Sequence, residues 1–142
     1  MGQWYNIVNL DKKEYLHPHD CDDGSGLTEF GNGPTMLCLA ALLADGNNRG
    51  GGDISSDDPI IGSWAGDRIV IAGDYAVPGK FIAPEEQDNL LKLCMSSIKR
   101  VATEEQKRDW AKESCNLYLL AEYTYKNISA ATVQALKDAG EW

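Results

Sequence analysis

The segment Pro34–Ala44 reads PTMLCLAALLA and carries the clearest helix signal in the sequence. Proline suits the first turn of a helix, and Gly46 follows as a C-terminal stop. Apolar residues fill every position from Met36 to Leu43. A helix with apolar residues on nearly every face is normally buried on most sides. We therefore expect this segment to be a buried central helix.

An N-terminal hairpin is predicted before this helix. Residues 3–9, QWYNIVN, are rich in aromatic and β-branched residues, which favour strands. Residues 10–13 have turn chemistry, and residues 14–17 alternate in polarity as a returning strand does. Pro18 ends that strand because proline cannot donate to a ladder.

A second hairpin is predicted after the helix. Residues 60–64 and 68–75 contain several β-branched residues, and a Gly-Asp pair at 66–67 supplies a turn between them. In the second of these strands Ile69 and Ile71 would share one face of the sheet. The polar, glycine-rich segment between the central helix and this hairpin is long enough to be a functional or mobile loop.

Three helices with N-terminal signals follow in the second half of the chain: after Pro84, after a Thr103–Gln106 capping box, and after Ser129. Residues 116–125 fit both a strand and a helix. The fold class we predict is α+β, in a single domain over residues 1–142. A small antiparallel sheet of four or five strands in two hairpins would be packed by the buried central helix and the C-terminal helices.

The chain is acidic, and the acidity is uneven. Its 142 residues include 22 acidic and 13 basic ones, for a net charge of −9, and residues 1–79 alone carry −8. Such a surface repels the phosphates of nucleic acids and anionic membranes, so we expect neither direct nucleic-acid binding nor membrane binding. It attracts a basic protein surface or a divalent cation. The alternative is that the charge only keeps a small protein soluble.

This charge pattern predicts a non-enzymatic interaction protein that binds and inhibits a basic protein. Immunity proteins against toxins and virus-encoded anti-defence inhibitors work in this way. Aromatic residues of the predicted strands would serve as anchors wherever they stay outside the core. The candidate partner-binding residues are Asp20, Asp22, Asp23, Asp53, Asp57, Asp58 and Asp67.

The alternative hypothesis is a metal-binding module or a metal-dependent hydrolase at residues 17–23, HPHDCDD. His17 and His19, two apart on an extended chain, would point to the same side. With Asp20 they would bind a divalent metal such as zinc or manganese, which could activate a water molecule. In the competing interpretation, His17 ends a strand and pairs across it, and the aspartates make turns.

Other signatures of chemistry are missing from the sequence. Neither the phosphate-binding glycine patterns nor a G-x-S-x-G elbow occurs, so we predict no catalytic residues. The four cysteines form no C-x-x-C pair, which argues against a structural zinc site. We find no secretory signal and no apolar run near 20 residues, so we expect reduced thiols in a cytoplasmic protein. The oligomeric state is left open.

Three segments carry a resemblance: WYNIVN at residues 4–9, EYLHPH at 14–19 and WAGDRIVIAGDYA at 64–76. They resemble a group of small bacterial proteins over roughly residues 3–80. The chain departs from that pattern at Cys21 and Asp22, where an apolar residue and glycine are expected. The group has no established activity, so the resemblance implies no mechanism.

Overall fold

The computed structural model describes residues 2–142, in which a four-stranded mixed sheet lies between two layers of helices. The strands are β1 (Tyr5–Asn9), β2 (Glu14–Leu16), β3 (Ile69–Gly73) and β4 (Lys126–Asn127), in the spatial order β3-β1-β2-β4. The helices are α1 (Leu27–Phe30), α2 (Pro34–Leu43), α3 (Pro84–Ser97), α4 (Glu104–Ser114), α5 (Leu117–Thr124) and α6 (Ser129–Asp138), and a 3-10 turn spans Pro18–Cys21. The predicted α+β class is confirmed.

The predicted N-terminal hairpin is confirmed. β1 and β2 pair antiparallel, with Ile7 opposite Leu16. The turn between them is shaped by Asn9, whose side-chain oxygen accepts hydrogen bonds from the backbone N–H groups of Asp11 and Lys12, at 2.9 and 2.8 Å. An asparagine that bonds to the backbone two residues on is a common turn device.

The second predicted hairpin is half right. β3 forms and pairs antiparallel with β1, but residues 60–66 are a series of turns. The backbone N–H groups of Gly62 and Trp64 donate to the carbonyls of Ala41 and Leu42, both at 2.8 Å. Because these groups satisfy the open carbonyls at the end of α2, they are not available for a ladder, and the prediction of a strand here is wrong.

The fourth strand makes the sheet mixed rather than antiparallel throughout. β4 pairs parallel with β2, with Glu14 opposite Lys126 and Tyr15 opposite Asn127. Ile128 continues the pairing, since its N–H donates to the Tyr15 carbonyl at 3.0 Å. The sequence offers little sign of this strand because it is two residues long.

Side chains of alternate strand residues point to opposite faces of the sheet and pack into two separate hydrophobic cores. Ile7 and Leu16 face α2 and α6, together with the fully buried Trp64. Val8 and Tyr15 face the opposite way, toward α3, α4 and α5. The sheet is therefore covered on both faces, and its two layers are built from different parts of the chain.

The central helix is confirmed at Pro34–Leu43, but it buries one side only. Cys38 and Ala41 are fully buried, whereas Ala40 is exposed and Leu43 is 38% exposed. The position of α2 in the fold explains this pattern. α2 lies on one face of the sheet beside α6, and its outer side is exposed at Ala40 and Leu43.

The predicted C-terminal helices are confirmed. The capping box of α4 is present, with Gln106 N–H donating to the Thr103 hydroxyl at 3.1 Å. The ambiguous residues 116–125 contain α5, because the Asn116 side chain accepts the Leu119 N–H at 3.1 Å and starts a helix. None of the helices in the described part of the chain is long and apolar enough to cross a membrane.

Candidate functional site

Three acidic residues lie near the start of α2: Asp23 bonds to the helix, whereas Asp20 and Asp22 are exposed. The Asp23 carboxylate accepts hydrogen bonds from the Thr35 N–H and hydroxyl, at 3.0 and 2.7 Å. It thereby caps α2, whose N-cap residue Gly33 has no side chain to do so. Asp22 is exposed, and Asp20 is exposed with its carboxylate accepting from the Asn127 amide at 2.8 Å.

A second acidic group lies at the other end of α2, in the segment 45–62 that we call the acidic loop. The loop leaves α2 after Ala44 and returns to it at Gly62, whose φ is +80° and whose Cα lies close against the Ala44 carbonyl. A side chain at residue 62 would meet that oxygen at 2.5 Å. Both ends of the acidic loop are therefore fixed to the C-terminus of α2.

Side-chain hydrogen bonds order the acidic loop internally. Asn47 bonds the backbone of Ile54 in both directions, at 2.7 and 2.9 Å. Asp53 accepts from the Arg49 N–H at 2.7 Å, and Asp57 accepts from the Asn48 amide at 3.1 Å. Such Asx-type contacts give a glycine-rich loop a defined shape.

The ordered loop borders an open polar pocket of about 440 Å³, with carboxylates on its wall. Asp45, Asp57 and Asp58 line it and are exposed. Neither these three nor Asp53 lies within ion-pair distance of a lysine or arginine in residues 2–142. Their negative charge is therefore not neutralised by the fold.

The outer side of α2 runs from the end that Asp23 caps to the end where the acidic loop begins. Ala40 and Leu43 are exposed there, and Met36 and Leu39 are half-buried beside them. These positions share one side of the helix, since residues three and four apart are neighbours. We call these four side chains, together with Asp20, Asp22 and the carboxylates of the acidic loop, the α2 surface.

Asp67 lies outside the α2 surface, at the β1–β2 turn. Its carboxylate pairs with the Lys12 ammonium at 2.5 Å and accepts from the Asn9 amide at 2.8 Å. The hydrogen bond from Lys12, with that from Asn9, holds the pKa of Asp67 below its usual range. The structure thus uses this predicted partner-binding residue, like Asp23, for an internal contact.

The predicted metal ligands lie near one another, but not in the extended geometry we expected. Pro18 begins a 3-10 turn directly after β2, so His19 is not on an extended chain. The rings of His17 and His19 meet edge to face, with centroids 5.4 Å apart, while Asp20 bonds to Asn127. Within residues 2–142, no three His, Cys, Asp or Glu side chains are placed to share a metal ion. The metal-site hypothesis stays a prediction.

His17 pairs with Asn6 across the hairpin, as the competing interpretation predicted, and belongs to a partly buried polar network whose member Glu122 sequence reasoning missed. Its Nδ1 lies 2.8 Å from the Oδ1 of Asn6, which is fully buried, and 3.8 Å from the Glu122 carboxylate. Asn6 also donates to Glu122 at 3.2 Å. Burial, with the nearby Glu122, raises the pKa of Tyr118. The only sequence signals were a polar residue inside a strand and a lone acid in an apolar helix.

The aromatic residues of the first half divide between core and surface. Trp64 and Tyr15 are buried, as expected for core residues. Trp4 and Tyr75 are 58% and 72% exposed, just before β1 begins and just after β3 ends, where the Asp74 N–H donates to the Trp4 carbonyl at 2.9 Å. The Trp4 ring meets the His19 ring edge to face, with centroids 6.2 Å apart, whereas Tyr75 lies beyond the end of β3, so neither ring belongs to α2.

All four cysteines are buried and unoxidised, with exposures of 5% or less. The thiols of Cys94 and Cys115 lie 3.5 Å apart in the core under α3, and Cys21 and Cys38 are buried in the other core. Burial raises the pKa of Cys94 to about 12. A thiol with that pKa is protonated at neutral pH, so it packs as a small apolar group and is not a nucleophile.

Comparisons with known protein families, with curated proteins and with solved structures give no match to this chain.

Proposed function

We propose that this protein binds a basic protein through the α2 surface and inhibits that partner. One observation carries the proposal. α2 exposes uncharged, apolar side chains between two groups of carboxylates that the described fold leaves unpaired with lysine or arginine. An apolar centre with a charged rim is the usual anatomy of a protein–protein interface.

The two acidic groups are spaced to act as separate contact points. α2 has 10 residues, so its ends are about 15 Å apart. That distance exceeds the Debye length of about 8 Å at physiological ionic strength, so each group presents its own field to an approaching protein. A basic partner with cationic side chains at similar separation would be steered and oriented by both.

The apolar centre supplies a contact that charge alone does not. Leu43 is 38% exposed at the end of α2 nearest the acidic loop. Removal of such a side chain from water contributes binding free energy that is insensitive to salt. Charge would then set the association rate and select basic partners, while Leu43 and Ala40 would slow dissociation.

Inhibition follows if the partner uses its basic surface for a phosphate-containing substrate. Carboxylates on the α2 surface would occupy the lysines and arginines that otherwise contact nucleic-acid phosphates. A nuclease or another nucleic-acid-binding enzyme is the partner class that fits this chemistry. Immunity proteins and virus-encoded inhibitors of host defence act through the same physics.

A capture experiment that compares the wild-type chain with the variant Leu43→Lys tests the proposal. The immobilised chain is incubated with lysate of the cells that produce it, and retained proteins are identified by mass spectrometry. We expect a protein with an isoelectric point well above neutrality. We expect Leu43→Lys to lose it, because a lysine in place of an apolar contact repels a basic partner and weakens binding by about tenfold or more.

Leu93→Lys is the matched control for this capture. Leu93 is 42% exposed on α3, on the opposite side of the sheet, so the control adds the same charge at a similar surface leucine. It should retain the partner as the wild type does. Equal retention by Leu43→Lys, or capture of acidic partners only, would contradict the proposal.

A further inference from the structure

The β3 strand has an open backbone edge. Hydrogen bonds from Leu10 N–H to the Arg68 carbonyl (3.0 Å) and from Asp74 N–H to the Trp4 carbonyl (2.9 Å) mark which β3 residues face β1. Antiparallel ladders alternate, so even-numbered β3 residues bond to β1 and odd-numbered ones point away from the sheet. The outward groups belong to Ile69, Ile71 and Gly73.

No strand or helix in the described residues covers this edge. β3 is the first strand in the sheet order, and the outward N–H groups of Ile69, Ile71 and Gly73 have no partner within residues 2–142. The Gly73 carbonyl is taken by the Ala76 N–H at 3.0 Å. Natural proteins usually protect an edge with lysine, proline or a bulge, and the sequence IVIAG of β3 contains neither lysine nor proline.

Apolar side chains gather beside the open edge. Ile71 is 41% exposed, Val77 63% and Phe81 53%, and they line a groove of about 330 Å³ along β3. Tyr75, 72% exposed, lies two residues beyond the end of β3. An exposed apolar patch next to unpaired strand groups is typical of an interaction surface.

We propose that a second copy of this chain pairs antiparallel with β3, centred on Ile71. In that register each Ile71 exchanges two hydrogen bonds with Ile71 of the other copy. Each Gly73 N–H reaches the Ile69 carbonyl of the other copy. The Gly73 carbonyl keeps its turn contact with Ala76, so the Ile69 N–H gains no strand partner in this register. The two sheets would join into one of eight strands.

Charge complementarity selects this register. Centring on Ile71 places Arg68 of one copy opposite Asp74 of the other, twice in the symmetric pair. The Arg68 side chain is 73% exposed and bonds Asp11 at 2.8 Å, which leaves guanidinium donors free. Asp74 accepts the Trp4 N–H through one oxygen at 3.1 Å, so the other oxygen can accept from arginine. This contact does not depend on the α2 surface or its partner.

Sedimentation equilibrium of the full chain over a range of concentrations tests the proposal. The wild type should show a species of twice 15.6 kDa, and Ile71→Lys should be monomeric. Leu93→Lys, at a leucine of nearly equal exposure, should remain a dimer. A monomeric wild type, or an Ile71→Lys variant that still dimerises, would overturn the proposal.

A charge swap gives a second test, which does not depend on how Ile71→Lys folds. Arg68→Asp or Asp74→Arg alone places like charges opposite each other twice and should raise the dimer Kd about tenfold. The double variant restores opposite charges and should return the Kd toward the wild-type value. A double variant no tighter than the single ones would overturn the register. Capture of an extended segment of another protein by a monomeric wild type would assign the edge to that partner and overturn the proposal.

Discussion

Replacing Trp64 with alanine is expected to lower the free energy of unfolding by about 3–5 kcal/mol, the usual loss for a large buried aromatic. Trp64 is fully buried in the core under α2, and its indole N–H donates to Glu14 at 2.9 Å. Its backbone N–H also bonds the Leu42 carbonyl, so the residue joins the acidic loop, α2 and β2. Urea unfolding followed by circular dichroism measures the change.

Trp4→Ala is the control for this substitution. Trp4 is 58% exposed and outside both cores, so its loss should change the free energy of unfolding by about 0.5 kcal/mol or less. If Trp64→Ala were no more destabilising than Trp4→Ala, the packing of the acidic loop onto α2 described above would be incorrect.

The double substitution of Asp57 and Asp58 by lysine is expected to weaken binding of the basic partner by about 100-fold, or roughly 1.4 kcal/mol for each reversed charge. Both carboxylates are exposed on the acidic loop, and neither pairs with a lysine or arginine among the described residues. Lysine at these two positions would repel the cationic side chains of the partner that the carboxylates attract. Titration calorimetry with the captured partner gives the Kd.

The control for this pair changes net charge equally at a distant site. Asp109 and Glu113 are exposed one helical turn apart on α4, on the other side of the sheet. Lysine at both positions should weaken binding only a few-fold, because charges beyond a Debye length are largely screened. Equal losses from the two double variants would show that net charge alone, rather than the α2 surface, governs binding.

Helix-start signals in the sequence correctly predicted helices whose first turn is set by nearby residues. α2 begins at Pro34, and α4 begins after the Thr103–Gln106 capping box, as predicted. The strand predicted at 60–64 failed because its backbone groups bond to the end of α2, some 20 residues earlier in the chain. β-Branched composition favours a strand but does not specify where the hydrogen bonds go.

The candidate site could be predicted in composition but not in arrangement. That residues 20–67 are acidic was plain, whereas the roles of Asp23 and Asp67 depend on Thr35 and Lys12, which are 12 and 55 residues away. The partly buried network joins Asn6 to Glu122 across 116 residues. Such long-range pairs have no periodic signature, so a single sequence does not reveal them.

The dependence of the partner Kd on salt tests the central claim most directly. If carboxylates of the α2 surface contact a basic protein, affinity should fall by roughly tenfold or more from low to physiological ionic strength, mainly through a slower association rate. The variant with lysine at residues 57 and 58 should show a much flatter dependence. A wild-type affinity that is unchanged or strengthened by salt would contradict the account.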